Sequence, residues 1–209
     1  MNAAWLLKHF DRISEGPEAV ARLRRFILDL AVRGKLVDQD PEDEPAAELV
    51  RKIKEQKTVL GIRPEELPVQ PGDAAFVLPH GWAWSQIGEI CSKTGSGSTP
   101  RGGREVYKTS GILFLRTQNV YDDGLKLEDV AYIDAATHQR MAGTAVKSRD
   151  LLLNITGGSI GRCCRVPDEF GEANVSQHVA ILRAAISEMA DFLHVVIRSP
   201  YFQHFIFDD

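Results

Sequence analysis

The segment KTGSGSTPRGGREVYK, residues 93–108, combines glycines and small hydroxyl residues with arginines and lysines, and it contains no apolar core. Backbone amides beside glycine, serine and threonine hydroxyls, and arginine guanidinium groups are donors that bind phosphate oxygens. The composition therefore indicates a phosphate-binding loop, and an ordinary exposed surface loop is the alternative.

A second candidate segment, FLRTQNV, ends a predicted strand with side chains suited to paired hydrogen bonds with base edges. These side chains are Arg116, Thr117, Gln118 and Asn119. The alternative is that Thr117 and Asn119 cap a turn, which their short polar side chains also favour.

Polar residues also lie near the start of a predicted strand in ANVSQHVA, where Asn174, Gln177 and His178 are candidates for binding. A buried, hydrogen-bonded His178 is the alternative. His178 is also the histidine that a thiol catalyst at Cys163 or Cys164 would need. Neighbouring residues on a strand point to opposite faces, so at least one of these cysteines is expected to pack in the core.

Motifs of common enzyme classes are absent from the sequence. No G-x-G-x-x-G or phosphate-binding Gly-Lys-Ser/Thr loop follows a predicted strand, and no G-x-S-x-G elbow occurs. The glycines of TGGSIGR lie between two predicted strands and indicate a tight turn. The paired acids Asp122–Asp123 and Asp168–Glu169 stand near glycines in predicted turns. No complete active site emerges, and we expect a non-catalytic protein without a metal.

The net charge of −4 argues against a free-standing nucleic-acid binder, but the charge is unevenly distributed. Residues 95–118 carry a net charge of +3 and residues 138–165 a net charge of +4. The three cysteines do not form a disulfide framework, which is typical of a reducing cytoplasm. The N-terminus does not resemble a signal peptide, and no run is long enough to cross a membrane.

Three helices are predicted before residue 60. The first carries Leu6, Phe10 and Ile13, and the third is AAELVRKIKEQK, residues 46–57. The second, which includes LRRFILDLAVRGKL, ends at Gly34 and carries an apolar stripe at steps of three and four residues. The stripe consists of Val20, Leu23, Ile27, Leu30 and Ala31. It predicts packing against a partner or against the third helix.

A proline- and glycine-rich linker is predicted around residues 58–78, and short apolar runs separated by turns follow it. The predicted strands are GILFLR, VAYID, DLLLNIT, RCCRV and VSQHVAILRA. One short helix, AATHQRM, is predicted with Asp134 as its N-cap. Two closing helices are predicted on either side of Pro200.

The order of five segments resembles the target-recognition domain of specificity (S) subunits from type I restriction-modification systems. The segments are LPHGWAWSQIGEI, GSTPR, GILFLRTQNV, VKSRDLLLNITGGSIGR and NVSQHVAILRA. Arg149-Asp150 stands where Gly-Asp is usual in the family. LRRFILDLAVRGKL resembles the conserved long helix of the family. The resemblance covers about Val20 to Phe207.

The resemblance implies an α+β fold, in which an N-terminal helical arm precedes a mixed, twisted β-sheet recognition domain with peripheral helices. The domains would be an arm at 1–60, a linker at 61–78 and a recognition domain at 79–209 that lacks its usual closing segment. Family S subunits carry two recognition domains and two conserved helices that pair antiparallel. The stripe would then form one side of a coiled-coil-like contact. Its interface residues would be Leu23, Ile27, Leu30 and Ala31.

The function implied is that of a cytoplasmic, non-catalytic subunit that reads one half of a bipartite double-stranded DNA target. Modification (M) subunits would bind the arm and hold S-adenosylmethionine, so this chain itself would bind no cofactor. The restriction or motor subunit would join through that complex, and the exposed stripe could also mediate self-association. No membrane partner is expected.

Loop position and side-chain chemistry suggest the DNA-contacting residues. Those expected on phosphates are Ser98, Thr99, Arg101, Arg104, Lys108 and Arg162, and those expected on base edges are Thr117, Gln118, Asn119, Ser159 and Gln177; Arg116 completes the set. Two other functions stay open at this point. One is a protein-interaction adaptor that does not bind DNA, and the other is an enzyme that uses the Cys163–His178 region.

Overall fold

The computed structural model describes residues 8–10, 18–63 and 76–207, with side chains omitted at 103 and 104. The predicted first helix and most of the predicted linker lie outside these residues. The helices are α1 (Ala19–Val32), α2 (Ala46–Val59), α3 (Ile87–Ile90), α4 (Ala135–Arg140), α5 (Ala190–Arg198) and α6 (Pro200–Phe207). The strands are β1 (Cys91–Ser96), β2 (Ile112–Leu115), β3 (Val120–Tyr121), β4 (Gly124–Leu125), β5 (Ala131–Ile133), β6 (Ala145–Val146), β7 (Leu151–Asn154), β8 (Cys163–Arg165), β9 (Ala173–Val175) and β10 (Val179–Ala184). The α+β class is confirmed.

The strands form two four-stranded sheets and a small hairpin, where the sequence predicts one twisted sheet. The first sheet has the order β1-β10-β7-β8 and is antiparallel throughout. The second has the order β5-β2-β9-β6, in which only the β2–β9 pair is parallel. β3 and β4 form the hairpin.

The single-sheet prediction fails because the run VSQHVAILRA is not one strand. A turn closed by the Val179 amide and the Ser176 carbonyl, 3.0 Å apart, interrupts it. Residues up to Val175 pair with β2 and β6 in the second sheet, and residues from Val179 pair with β1 and β7 in the first.

The first sheet is buried on both faces, which explains the unbroken apolar run LLL in β7. Side chains alternate across a strand, so Leu151 and Leu153 pack with helical residues such as Ile53 and Leu193. Leu152 packs on the opposite face with residues of the second sheet and the hairpin. β8 divides in the same way, and both of its cysteines are fully buried.

Helix α2 contributes to this core. Ile53 is fully buried within it, and the buried Lys57 donates from Nζ to the carbonyls of Gly88 at 2.8 Å and Glu89 at 3.2 Å. Family sequences resembling LPHGWAWSQIGEI usually continue in a strand at Gly-Glu-Ile, and that expectation is wrong here, because residues 87–90 form the helical turn α3 and the strand begins at Cys91. β1 also takes in Lys93 to Ser96, which the sequence suggests as loop.

Helix α1 packs against α5 and α6. Leu30 is buried, so its assignment to an accessible partner interface is corrected. Leu23 and Ala31 are half-buried, whereas Val20 and Ile27 are 53% and 38% exposed. The apolar stripe is thus covered at its C-terminal end by the protein's own closing helices and stays accessible toward its N-terminal end.

The departure at Arg149-Asp150 has a conformational basis. Arg149 has φ 65°, in the left-handed region that favours glycine, and its guanidinium binds Asp168 at 2.9 Å and Asp191 at 2.8 Å. Asp150 is fully buried, and its two carboxylate oxygens accept from Nε and Nη2 of Arg183, each at 2.7 Å. Arg165 binds the same two exposed acids as Arg149. Two of the five arginines and lysines in the second basic segment, Arg149 and Arg165, are therefore paired with nearby acids.

Among the described residues, no helix combines the length and the apolar content needed to cross a membrane.

Candidate nucleic-acid interface

Four loops meet at one end of the two sheets. Ser96 pairs with Ala180 and Asn154 with Val179, so β1 and β7 end beside the start of β10. In the second sheet Leu115 pairs with Val175, so β2 and β9 end side by side. We define the loop cluster as the segments that follow these strands, residues 97–101, 116–119, 155–162 and 176–178.

Backbone hydrogen bonds hold the first and fourth loops together. The Gly97 amide donates to the Val179 carbonyl at 2.9 Å, and the Ser98 amide donates to the Val175 carbonyl at 3.1 Å. Gly97 is required here because a Cβ at this position would overlap the Val175 carbonyl. The loop 97–101 therefore lies directly on the turn between β9 and β10.

Asn154 connects the second and third loops from below. It is fully buried, and its Nδ2 donates to the Thr117 carbonyl and to Ser159 Oγ, both at 3.0 Å. Asn154 Oδ1 and the buried Ser176 hydroxyl have no hydrogen-bond partner within the described part of the chain. Unsatisfied buried polar atoms are rare in proteins, and here they lie at the base of the loop cluster.

A chain of hydrogen bonds runs across the surface of the loop cluster through exposed side chains. Thr99 Oγ1 contacts Gln177 Oε1, and Gln177 Nε2 lies 2.9 Å from His178 Nε2. His178 Nδ1 lies 2.7 Å from Thr156 Oγ1. Three of the four loops therefore contribute side chains to one exposed polar array.

Cations border this array. Arg101 is exposed in the first loop, and Arg162 is half-buried with its Cζ 4.8 Å from the centre of the Tyr121 ring. Lys126 Nζ lies 3.9 Å from the same ring centre. Cation–π contacts with Tyr121 thus hold two positive groups beside the third loop.

The structure brings most of the predicted site residues to the loop cluster. Besides the buried Asn119, those in its loops are Ser98, Thr99, Arg101, Arg116, Thr117, Gln118, Ser159, Arg162 and Gln177. The Arg116 guanidinium is directed to the Asp129 carbonyl, which its Nη2 contacts at 2.9 Å. Thr117 and Ser159 are half-buried and accept hydrogen bonds from Asn154, whereas the Gln118 side chain is exposed.

Two predicted site residues do not fit the interface. Asn119 is buried, its Oδ1 accepts from the Arg116 amide at 3.0 Å, and its Nδ2 donates to the Lys126 carbonyl at 2.8 Å. Its assignment to a base edge is therefore corrected, because both ends of the amide are occupied. Lys108 pairs through its backbone with Tyr132 of the outer strand β5, away from the loops. The Arg104 side chain lies outside the described atoms.

The cysteines do not form a catalytic centre. Burial raises the pKa of Cys164 to about 12 and raises that of Cys163 well above its ordinary value, so both stay protonated thiols. His178 contacts Thr156 and Gln177 on the surface, not a cysteine. The alternative of a core histidine is also wrong, since His178 is exposed. Asn174 is buried against His138, Met141 and Thr144.

Sequence reasoning missed Thr156 and Lys126 as members of the site. Thr156 is the first residue of TGGSIGR. The glycines of this segment indicate only a tight turn, and a turn does not require a partner for the Thr156 hydroxyl. Lys126 directly follows the hairpin strand β4, and it lies outside the basic segment of residues 95–118. Its proximity to Arg162 arises because β3 packs beside β8.

Within the described residues, no group of three or more His, Cys, Asp or Glu side chains could hold a metal ion. Two curated relatives from Escherichia coli match the sequence. The type I restriction enzyme EcoAI specificity subunit is 34% identical over 138 residues, which are 63% of this chain and 23% of the relative. The EcoEI specificity subunit is 38% identical over 105 residues, which are 47% of this chain and 18% of the relative.

The chain is similar to type I restriction enzyme specificity subunits, and it spans about a fifth of the length of these curated relatives. Their names agree with the prediction of a non-catalytic subunit. No family model matches the chain.

Two solved structures are similar at 18% sequence identity. The HsdS subunit from Thermoanaerobacter tengcongensis has a TM-score of 0.48 and the match covers 97% of this chain and 40% of that one. A chain from a structure of type I R-M complex assembly and conformational transition has a TM-score of 0.47, with 93% and 38% covered.

Proposed function

We propose that this chain reads one half of a bipartite double-stranded DNA target as part of a type I specificity subunit, and so directs methylation or cleavage by its partner subunits. The observation that carries this proposal is the loop cluster, where nine of the residues chosen from sequence for DNA contact lie in four adjoining loops. Similarity to type I restriction enzyme specificity subunits suggests the class of target, and the exposed hydrogen-bond donors and acceptors are suited to reading it.

The interface divides into two kinds of contact. Arg101, Arg162 and Lys126 border the array and are suited to phosphates, which position a protein on the duplex and carry the salt dependence. Exposed uncharged side chains of the same loops, such as Gln118 and Gln177, are suited to base edges, which carry sequence discrimination. A net charge of −4 fits a subunit that binds DNA together with partners.

The partners in this proposal are M subunits, which hold S-adenosylmethionine and bind the helical arm, and the restriction or motor subunit, which joins through the complex. The accessible part of α1 around Val20 and Ile27 is the surface left for an M subunit or a second copy. A cytoplasmic location belongs to the same proposal, because all three cysteines are free.

The test is selection from randomised duplex DNA by the chain assembled with the M subunits of its own system. Enrichment of a short fixed motif is the expected result. The matched pair of variants is Gln118→Ala, in the loop cluster, and Gln139→Ala, an exposed glutamine in α4. The first is expected to relax one position of the motif and the second to leave it unchanged. A complex that enriches no motif would contradict the proposal.

The second candidate is a protein-interaction adaptor, and one observation favours it. A cavity of about 730 Å³ lies between the N-terminal helices and α5 and α6. Its lining includes Trp82, Trp84, Phe192 and Phe205. Weak, salt-insensitive DNA binding together with tight association of a protein that competes for this cavity would favour the adaptor over the DNA reader.

A further inference from the structure

The side-chain amide of Gln177 is hydrogen-bonded at both ends, by Thr99 of the first loop and by His178 of its own loop. Its oxygen accepts from the Thr99 hydroxyl, and its nitrogen lies 2.9 Å from His178 Nε2. An amide nitrogen only donates, so His178 Nε2 accepts and the imidazole proton resides on Nδ1. Thr156 Oγ1, 2.7 Å from Nδ1, is then the acceptor. The directions of all these hydrogen bonds are mutually consistent.

Two hydrogen-bonding positions of the Gln177 amide are left after these contacts. The oxygen keeps one lone pair and the nitrogen keeps one hydrogen. In the major groove, adenine presents the N6 amino donor next to the N7 acceptor, which is the complement of this pair. Guanine presents two acceptors, cytosine a donor, and thymine an acceptor with a methyl group. Adenine is therefore the base that satisfies both positions at once.

We infer that Gln177 reads an adenine in the recognised half-site, with Thr99 and His178 as positioning residues that fix the orientation of its amide. This inference rests on the proposed DNA-reading function. An unrestrained glutamine loses rotational freedom about several side-chain bonds on binding, and its amide can face the base in either of two orientations. The contact from Thr99 and the contact from His178, which Thr156 of the third loop holds in turn, remove much of that cost before DNA arrives.

The experiment compares motifs selected from the same randomised duplex library by the wild type and two variants, each assembled with the M subunits. In Gln177→Ala, the affinity ratio between adenine and the other bases at one position of the motif is expected to fall by about 5- to 150-fold. Gln177→Glu is expected to change that position toward cytosine, whose N4 amino group donates to a carboxylate. Gln139→Ala serves as the matched control.

A second arm tests the contacted atom and the positioning residues. Replacing adenine at the affected position by 7-deazaadenine removes the N7 acceptor, and it is expected to weaken wild-type binding without weakening Gln177→Ala. Thr99→Val and His178→Ala are expected to reduce the adenine preference while leaving affinity for unrelated duplex DNA unchanged. A purely structural role would lower both affinities together.

The outcomes separate the inference from the proposed function. If the wild type enriches no motif, both are overturned. If it enriches a motif that Gln177→Ala and Gln177→Glu leave unaltered, the adenine assignment alone is overturned. Equal loss of specific and unrelated binding in Thr99→Val and His178→Ala would overturn the positioning role.

Discussion

The buried part of the fold and the exposed surface of the loop cluster use polar side chains in opposite ways. Asn119 at the end of the second loop, Asp150 before β7 and Asn174 in β9 are buried, and each makes hydrogen bonds that connect separate segments of the fold. In the loop cluster, Gln118 and Gln177 are exposed, and the amide of Gln177 is only partly used. Residue type alone therefore does not identify a binding residue, whereas burial and unused hydrogen-bonding capacity do.

The largest expected effect tests the buried side of this contrast. Asp150→Ala leaves Arg183 without its bidentate partner, and breaking such a buried pair costs about 3–5 kcal/mol of unfolding free energy. Denaturant unfolding at neutral pH measures this loss. Asp168→Ala is the matched control, since Asp168 also binds arginines but lies exposed on the surface. A similar loss in both variants would show that burial does not distinguish the two sites.

Asn119→Ala gives the next largest effect and separates Asn119 from its neighbour Gln118. Removing the Asn119 amide leaves the Arg116 amide and the Lys126 carbonyl without a partner, at a cost of about 1–3 kcal/mol. Gln118→Ala is expected to leave unfolding unchanged and to alter DNA discrimination. Thermal and denaturant unfolding of the two variants, beside DNA selection, measure the difference. Unaltered stability in Asn119→Ala would contradict its structural role.

Arg101→Ala sharpens the division within the loop cluster between phosphate and base contacts. We expect weaker binding to all duplex sequences alike and a salt dependence of log K that is flatter by about one unit. Titrations at several salt concentrations, on selected and unrelated duplexes, measure both effects. An unchanged slope, or a loss confined to one sequence, would remove Arg101 from the phosphate contacts.

His194 gives the smallest effect, on the pH dependence of stability. Burial lowers the pKa of His194 below 6.5, and its Nε2 contacts the Cys163 carbonyl at 2.9 Å. The folded state thus binds this proton more weakly than the unfolded state. The contribution of His194 to stability is complete above pH 6.5 and declines as the pH falls from there toward the lower folded pKa. His194→Gln should show a weaker decline in unfolding free energy over that range, and an identical decline would contradict the assignment.

The sequence predicts the elements well where the hydrophobic pattern is local. The strands 112–115, 131–133, 151–154 and 163–165 follow from short apolar runs, and Asp134 caps α4 as expected, with its Oδ1 2.7 Å from the Thr137 amide. The break in VSQHVAILRA was not predictable in the same way. It depends on pairing with two different sheets, which a single run of residues does not encode.

The candidate site was predictable in outline for a similar reason. Glycines, hydroxyls and amides mark the ends of strands, and the strand register then brings those ends together. Sequence could not distinguish the buried Asn119 from the exposed Gln118, because both follow the same strand. The packing partner of α1 could not be predicted from the sequence either. Its apolar stripe fits any apolar surface, and the closing helices that cover it lie far along the chain.

The most direct test of the central claim is hydrogen–deuterium exchange on the chain assembled with its M subunits, before and after addition of the selected duplex. The account predicts new protection in the loop cluster, at residues 97–101, 116–119, 155–162 and 176–178, with none in α1. Protection confined to the helices, with unchanged exchange in all four loops, would contradict it.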